Sequence, residues 1–251
     1  MAHPEIILFF LIISFVYASV GFGGGSSYLA VLSFYALPVP EMKLIALICN
    51  IIVVTGGTIL FIKHKQVNWK KVLPLVLVSV PMAFVGGRLK LSEDLFFVVL
   101  GISLLVASVL LWLKTRMNDV VETASIKVSY VKEGALGGAI GFLSGMVGIG
   151  GGIFLSPVLN LMKWDIPQKI AATASFFILV NSVSGIAGQQ SAHKQQLDYL
   201  QIGLLAAAVL VGGQAGARIG IKKFNPLVIR RVTALVVFIA GIEVLHKHLH
   251  F

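Results

Sequence analysis

The sequence predicts an all-α membrane protein that crosses the bilayer several times and is built from two similar halves of inverted topology. Of its 251 residues, 57% are hydrophobic and only 12% are charged, whereas about a quarter of an average soluble domain is charged. The net charge of +10 is carried mainly by short segments between apolar stretches. This positive-inside pattern is typical of a protein embedded in a lipid bilayer, and it argues against a nucleic-acid partner.

Long apolar segments without charged residues recur along the chain, and most of them reach the ~17 to 25 residues that a membrane-spanning helix needs. They are Leu44 to Ile62, Val72 to Gly87, Leu95 to Leu113, Ile170 to Gln190, Tyr199 to Ala217 and Val232 to Ile242. Residues 6–37 form an earlier uncharged segment that lacks the basic start of a signal peptide. We therefore expect this segment to belong to the mature protein.

Four short motifs occur twice, in the same order and at nearly the same spacing. The GFGGG motif of residues 21–25 recurs as GIGGG at 148–152, which is an offset of 127 residues. The other pairs are 39–40 with 166–167, 64–66 with 193–195 and 86–88 with 216–218. The sequence therefore predicts one transmembrane repeat over residues 1–126 and a second over 127–251, joined by the polar stretch from Lys114 to Glu133.

Each repeat begins with an apolar segment that is broken by glycines, and three uninterrupted segments follow. In the first repeat the arms before and after the glycines, residues 5–20 and 26–37, would form helices of about 24 Å and 18 Å. Both are shorter than the ~30 Å hydrocarbon core. The break therefore predicts a re-entrant helix hairpin, whose irregular backbone must be buried in protein or line a watery cavity.

The distribution of lysine and arginine decides between two topologies. If each broken segment returns to its starting side, the repeats are inverted, and one side of the membrane holds 15 of the 20 basic residues. If each broken segment crosses once, the repeats are parallel and each side holds 10. Only the inverted arrangement gives a positive-inside bias, so it predicts that both termini lie outside.

The glycine breaks are the candidate binding site. A helix that restarts directly after glycines presents free N–H groups and the positive end of its dipole, which favour an anion. Tight helix packing through small residues is the alternative explanation, but interrupted segments in both repeats favour a transport site. The predicted substrate-binding residues here are Gly23, Gly24, Gly25, Ser26, Gly150, Gly151 and Gly152.

Five further polar residues are added to the predicted site. Arg88 and Arg218 end corresponding apolar segments and offer planar donors for an oxyanion, although an arginine at a helix end also commonly extends to the interface. Gln214 lies one turn before Arg218. Asn50 and Asn181 lie inside spans, where an amide either lines the path or bonds neighbouring helices.

The sequence lacks the residue patterns that proton relays, metal sites, nucleotide binding and catalysis require. No aspartate or glutamate lies in the middle of a span, so no intramembrane proton relay is predicted. Cys49 is the only cysteine, and the histidines at 246, 248 and 250 fit a frayed C-terminal tail better than a metal site. The sequence also shows no nucleotide-binding loop or catalytic constellation. We expect neither an enzyme nor a bound cofactor or metal.

The broken motifs GFGGGS and GMVGIGGG, with the VGGRL and AGARIG ends of the third helices, resemble the sulfite exporter TauE/SafE family over essentially the whole chain. The resemblance implies a permease of the inner membrane, without a bound cofactor, that carries a small anion such as sulfite, an organosulfonate or a related sulfur oxyanion. Export is the direction that we predict separately, because no carboxylate lies at mid-span and the membrane potential alone would drive an anion outward. Two alternatives stay open, which are a membrane scaffold or assembly factor without transport and an anion channel.

Overall fold

The structure is a computed structural model that describes residues 4–19, 21–35, 37–115, 129–192, 199–223 and 226–248, and every regular element in these ranges is a helix. The predicted all-α class is therefore confirmed. The helices are α1 (Pro4–Ala18), α2 (Gly25–Leu32), α3 (Val39–Lys63), α4 (Trp69–Arg88), α5 (Glu93–Thr115), α6 (Tyr130–Val147), α7 (Gly152–Leu161), α8 (Pro167–Ala192), α9 (Tyr199–Lys223) and α10 (Pro226–His248). Within the described residues, α3, α4, α5, α8 and α9 are long and apolar enough to cross a membrane.

The first glycine break folds α1 and α2 into a hairpin. Near the break, the Tyr17 hydroxyl lies 2.7 Å from the Ser27 hydroxyl. Further along, the rings of Phe10 and Tyr28 stack with centroids 4.5 Å apart. A short 3-10 turn, Ser33–Tyr35, follows α2, and its Tyr35 hydroxyl donates to the Glu5 carboxylate at 3.5 Å. The chain therefore returns to the end of the molecule at which α1 begins.

The second break forms a corresponding hairpin from α6 and α7. The indole N–H of Trp164, which follows α7, donates to the carboxylate of Glu133 in the first turn of α6 at 2.9 Å. Lys71, at the beginning of α4, donates to the Trp164 carbonyl oxygen at 2.6 Å and lies 3.3 Å from Asp165. The loops at 63–71 and 163–169 therefore lie at the same end of the molecule.

The two hairpins open at opposite ends. At the open end of the first, Gln189 near the end of α8 donates to the Pro40 carbonyl oxygen, and Lys247 of α10 donates to the Ser33 carbonyl oxygen at 3.3 Å. The 25 residues of α3 separate this end from Lys71 by about 37 Å. These contacts favour the inverted arrangement of the repeats, because parallel repeats would place the 63–71 and 163–169 loops at opposite ends. The inversion and the boundary at residue 126 stay predictions.

Each hairpin packs on the other half of the chain: α6 packs on α4 and α1 packs on α9. Gly137, Gly141 and Gly145 of α6 lie against backbone carbonyl groups of α4, and Gly212 and Gly216 of α9 lie against those of α1. A side chain at any of these positions would overlap the neighbouring backbone. Small residues thus allow the close approach that drives helix association in lipid.

Cysteine labelling tests the inversion. Lys63, Arg231 and Lys90 are exposed, and the natural Cys49 is buried, so a membrane-impermeant thiol reagent should report only on introduced cysteines. In right-side-out vesicles we expect K63C and R231C to be protected and K90C to be labelled. Protection of K63C with labelling of R231C would contradict inverted repeats.

Candidate functional site

The two glycine breaks meet at the side chain of Asn50, near the midpoint of α3. The Asn50 amide oxygen accepts a hydrogen bond from the Gly25 N–H at 2.9 Å. Its amide nitrogen donates to the Ile149 carbonyl oxygen at 2.9 Å. Asn50 has no solvent-exposed surface. One buried side chain therefore joins the tips of both hairpins at the depth where a substrate site is predicted.

Glycine is required in both breaks for conformational and spatial reasons. Gly24 and Gly151, the residues before α2 and α7, have φ of 94° and 83°, a left-handed conformation that strains other residues. Gly25 is restricted by space, because a methyl group there would lie 2.6 Å from the Ile149 carbonyl oxygen and would overlap the Asn50 amide. The breaks are therefore packed against each other through backbone atoms.

The first break differs in one respect from the sequence expectation of free N–H groups. The Gly25 N–H is already bonded to Asn50, while the N–H groups of Ser27 and Tyr28 donate to the Gly24 carbonyl oxygen at 3.0 Å. A buried N–H group without an acceptor is costly. The Asn50 amide removes that cost, so in this conformation an internal acceptor occupies the start of α2.

The second break is not capped in this way. At the position equivalent to Asn50, 127 residues later, α8 carries Phe177, and among the described residues no side chain accepts the Gly152 N–H. A methyl group on Gly150 would lie 3.0 Å from the Ser182 hydroxyl oxygen. This hydroxyl and that of Ser144 are buried without a hydrogen-bond partner in the part of the chain described. Within the described ranges, the Gly152 N–H and the hydroxyls of Ser144 and Ser182 near the start of α7 are therefore free to bind a ligand.

Lys43 is a functional candidate that the sequence reasoning missed. It lies in the second turn of α3 and is only 5% exposed. Its stem packs on the second break, since a methyl group on Gly148 would lie 3.0 Å from Lys43 Cβ. The uncharged apolar segment of the sequence starts only at Leu44, so the sequence pattern puts Lys43 at the boundary of the span. The Val39-Pro40 start of the helix is the signal that places it inside α3.

The other predicted amides and hydroxyls lie at helix contacts. The Asn181 amide nitrogen donates to the Ser79 hydroxyl at 3.0 Å and to the Phe177 carbonyl oxygen at 2.8 Å, while its amide oxygen is buried without a partner among the described residues. The Ser26 hydroxyl lies 3.4 Å from that of Tyr17. The Gln214 amide lies against Gly56 of α3.

Arg88 and Arg218 lie elsewhere. Both are exposed near the C-terminal ends of their apolar segments, and the described contacts of the glycine breaks involve neither guanidinium. Their assignment to the substrate path stays a prediction. The described residues also include no cluster of histidine, cysteine or carboxylate side chains that could hold a metal. His250 and the second HKQ motif at 193–195 lie outside the described residues.

In the comparisons with known proteins, the matching family and the matching relatives are all described as exporters or membrane transporters. A family model described as "Sulfite exporter TauE/SafE" matches residues 6–244. A probable membrane transporter protein of Sinorhizobium fredii is 30% identical, with 94% of this chain and 95% of the relative covered. Probable membrane transporter proteins of Bacillus subtilis and Methanocaldococcus jannaschii are 25% and 24% identical, with 98% and 96% of this chain and 98% and 95% of the relatives covered. No solved structure matches the chain.

Proposed function

The chain belongs to the sulfite exporter TauE/SafE family of membrane transporters, and from this we propose that it is a permease that exports a small anion, namely sulfite, an organosulfonate or a related sulfur oxyanion, across the inner membrane. The observation that carries the proposal is the meeting of both glycine breaks at the buried Asn50. No cofactor is required, because residues of the protein itself would supply all the groups that bind the anion.

The electrostatics of this meeting point favour negative charge. Two helices, α2 and α7, begin there, and the positive ends of their dipoles favour an anion. The described contacts of the two breaks include no carboxylate side chain. Because the surrounding residues are buried, the fields of these helix ends are screened less than they would be in water. An oxyanion with several acceptor oxygens fits this set of N–H, hydroxyl and amide donors.

The Asn50 amide is also the group that a substrate would displace. Its amide oxygen occupies the position that a substrate oxygen would take on the Gly25 N–H. A bound anion would replace this acceptor, while the second N–H of the Asn50 amide, which is not the one bonded to the Ile149 carbonyl oxygen, could donate to the substrate. The Gly25 N–H would be paired with one acceptor or the other, so this exchange would leave no buried donor unsatisfied.

Purified protein should be stabilised by the anion that it carries. Thermal-shift titration with sulfite, sulfate, thiosulfate, sulfonates and carboxylates tests this, since a ligand at 100 times its Kd adds about 2.7 kcal/mol to the stability of the folded state. A scaffold would show no anion-dependent shift. If none of these anions stabilises the protein or is transported, the proposal is wrong.

Export should be driven by the membrane potential alone. Moving one negative charge outward across 100 mV, inside negative, gains about 2.3 kcal/mol, which corresponds to about a fortyfold concentration ratio. Proteoliposomes with an imposed potential and no pH or sodium gradient should therefore move the anion toward the positive side. Flux that appears only with a proton or sodium gradient would contradict uncoupled export, and flux that fails to saturate with concentration would favour a channel.

A further inference from the structure

Lys43 is a charged residue inside the protein, and no carboxylate of the described residues accompanies it. We propose that Lys43 is a substrate-binding residue whose ammonium group pairs with the oxyanion next to the second glycine break. The inference rests on the proposed function, since Lys43 would supply the positive charge of the same anion site. It also makes the site chemically asymmetric, because the equivalent residue of the second repeat is Ile170.

The shielding of Lys43 from water favours a counterion. An ammonium group taken out of water costs several kcal/mol unless an opposite charge compensates it. Lys43 is 5% exposed, and its ammonium group forms no ion pair or hydrogen bond within the described part of the chain. Lys71 shows how a partly buried lysine is usually compensated: it pairs with Asp165 and donates to the Trp164 carbonyl oxygen. A mobile anion is the partner that satisfies Lys43 in a transporter.

The position of Lys43 connects it to the candidate site. Lys43 and Asn50 are seven residues apart, so they share one face of α3 and lie about 10 Å apart along its axis. Along this face Lys43 packs against Gly148, and Asn50 contacts Ile149 and Gly150. The face therefore follows the second break, where the start of α7 is not capped by a side chain.

Unpaired hydroxyl groups in the same region support a ligand. Ser182, which lies against Gly150, and Ser144, whose Cβ would lie 3.3 Å from a methyl group on Gly151, are both fully buried. Neither hydroxyl has a hydrogen-bond partner among the described residues. A lysine supplies three rotatable N–H donors and a compact charge. Together these groups fit an oxyanion that offers acceptors in several directions.

Because Lys43 lies between Asn50 and the end of the molecule where α3 begins, we assign it to that side of the path. An anion leaving the Asn50 position toward this end would pass the ammonium group. The stem packed on Gly148 holds the charge close to the break, while the flexible end of the side chain can follow the substrate. The opposite side of the path has no equivalent lysine.

The test replaces Lys43 by methionine, which keeps much of the length and apolar character of the stem but removes the charge. For the anion that the wild type transports, we expect K43M to raise both the Kd from thermal-shift titration and the KM of flux at least tenfold. Without anion, K43M should melt at a higher temperature than the wild type, because the uncompensated charge is gone. K43R should stay within a fewfold of wild-type affinity.

K70M is the matched control, because Lys70 is an exposed lysine at the start of α4, and its affinity should equal that of the wild type. Should K43M not fold, K43Q is tested for the same tenfold loss. If the wild type transports an anion and these charge-neutral variants keep its Kd and KM, the role of Lys43 is overturned while the proposed function stands. If the wild type neither binds nor transports any anion, both proposals fail.

Discussion

Replacing Asn50 by leucine should abolish transport and lower the free energy of unfolding by about 2 to 6 kcal/mol. The substitution keeps a side chain of similar size but removes the acceptor of the Gly25 N–H and the donor to the Ile149 carbonyl oxygen. Each buried group left unpaired costs about 1 to 3 kcal/mol. The Gly25 N–H belongs to the first hairpin and the Ile149 carbonyl group to the second. The tips of the two hairpins would therefore also lose the side chain that joins them.

Asn160 offers a matched control for N50L. Its amide donates only within α7, to the Ser156 carbonyl oxygen, so N160L should cost about 1 kcal/mol or less and should leave flux close to that of the wild type. Denaturation in detergent measures the stability of both variants, and proteoliposome flux measures their activity. Equal stability and equal flux of N50L and N160L would show that Asn50 does not organise the site.

A single methyl group at Gly25 should reduce flux at least tenfold. In G25A the added carbon would lie 2.6 Å from the Ile149 carbonyl oxygen and would overlap the Asn50 amide, so the two hairpin tips would have to separate. Overpacking of this kind costs about 1 to 3 kcal/mol. The position needs no left-handed backbone, so the effect reports the space between the breaks and not backbone strain. Flux normalised to the amount of folded protein in proteoliposomes measures it.

Gly203 provides the control for G25A. It lies in α9, and a methyl group there meets no atom within 4 Å. The helix propensity of alanine should make G203A equal to the wild type in flux and up to about 1 kcal/mol more stable. A G25A variant as active as G203A would mean that the breaks have free space around them, contrary to the packing described.

The fold was largely predictable because membrane constraints act over long segments. A span must be apolar for about 20 residues, and basic residues collect on one side of the membrane. The topology can therefore be predicted from the lengths of the apolar segments and the positions of the charges. The hairpins followed from arms too short to cross the membrane. The packing of α6 on α4 was not predictable, because the glycines at 137, 141 and 145 indicate a close contact without identifying the partner helix.

The candidate site was predictable in its backbone and less so in its side chains. The repeated glycine motifs identified both breaks, and Asn50 was recognised as a polar residue within a span. The bonds from Asn50 to Gly25 and Ile149 depend on how two hairpins from different repeats meet, which no local pattern encodes. Lys43 was missed for a similar reason, since its burial depends on tertiary packing, which includes the contact of its stem with Gly148.

The glycine contacts between hairpins and long helices determine which parts can move as rigid bodies. Gly137, Gly141 and Gly145 lie against particular carbonyl groups of α4, so a slide of α6 along α4 would bring side chains into contacts that have room only for glycine, and we expect the two helices to keep their register. The same holds for α1 on α9. We therefore expect a conformational change that opens the Asn50 position to one side to carry each hairpin together with the long helix on which it packs. The moving units would then be the pairs α4 with α6 and α1 with α9, and each pair joins helices from both predicted repeats.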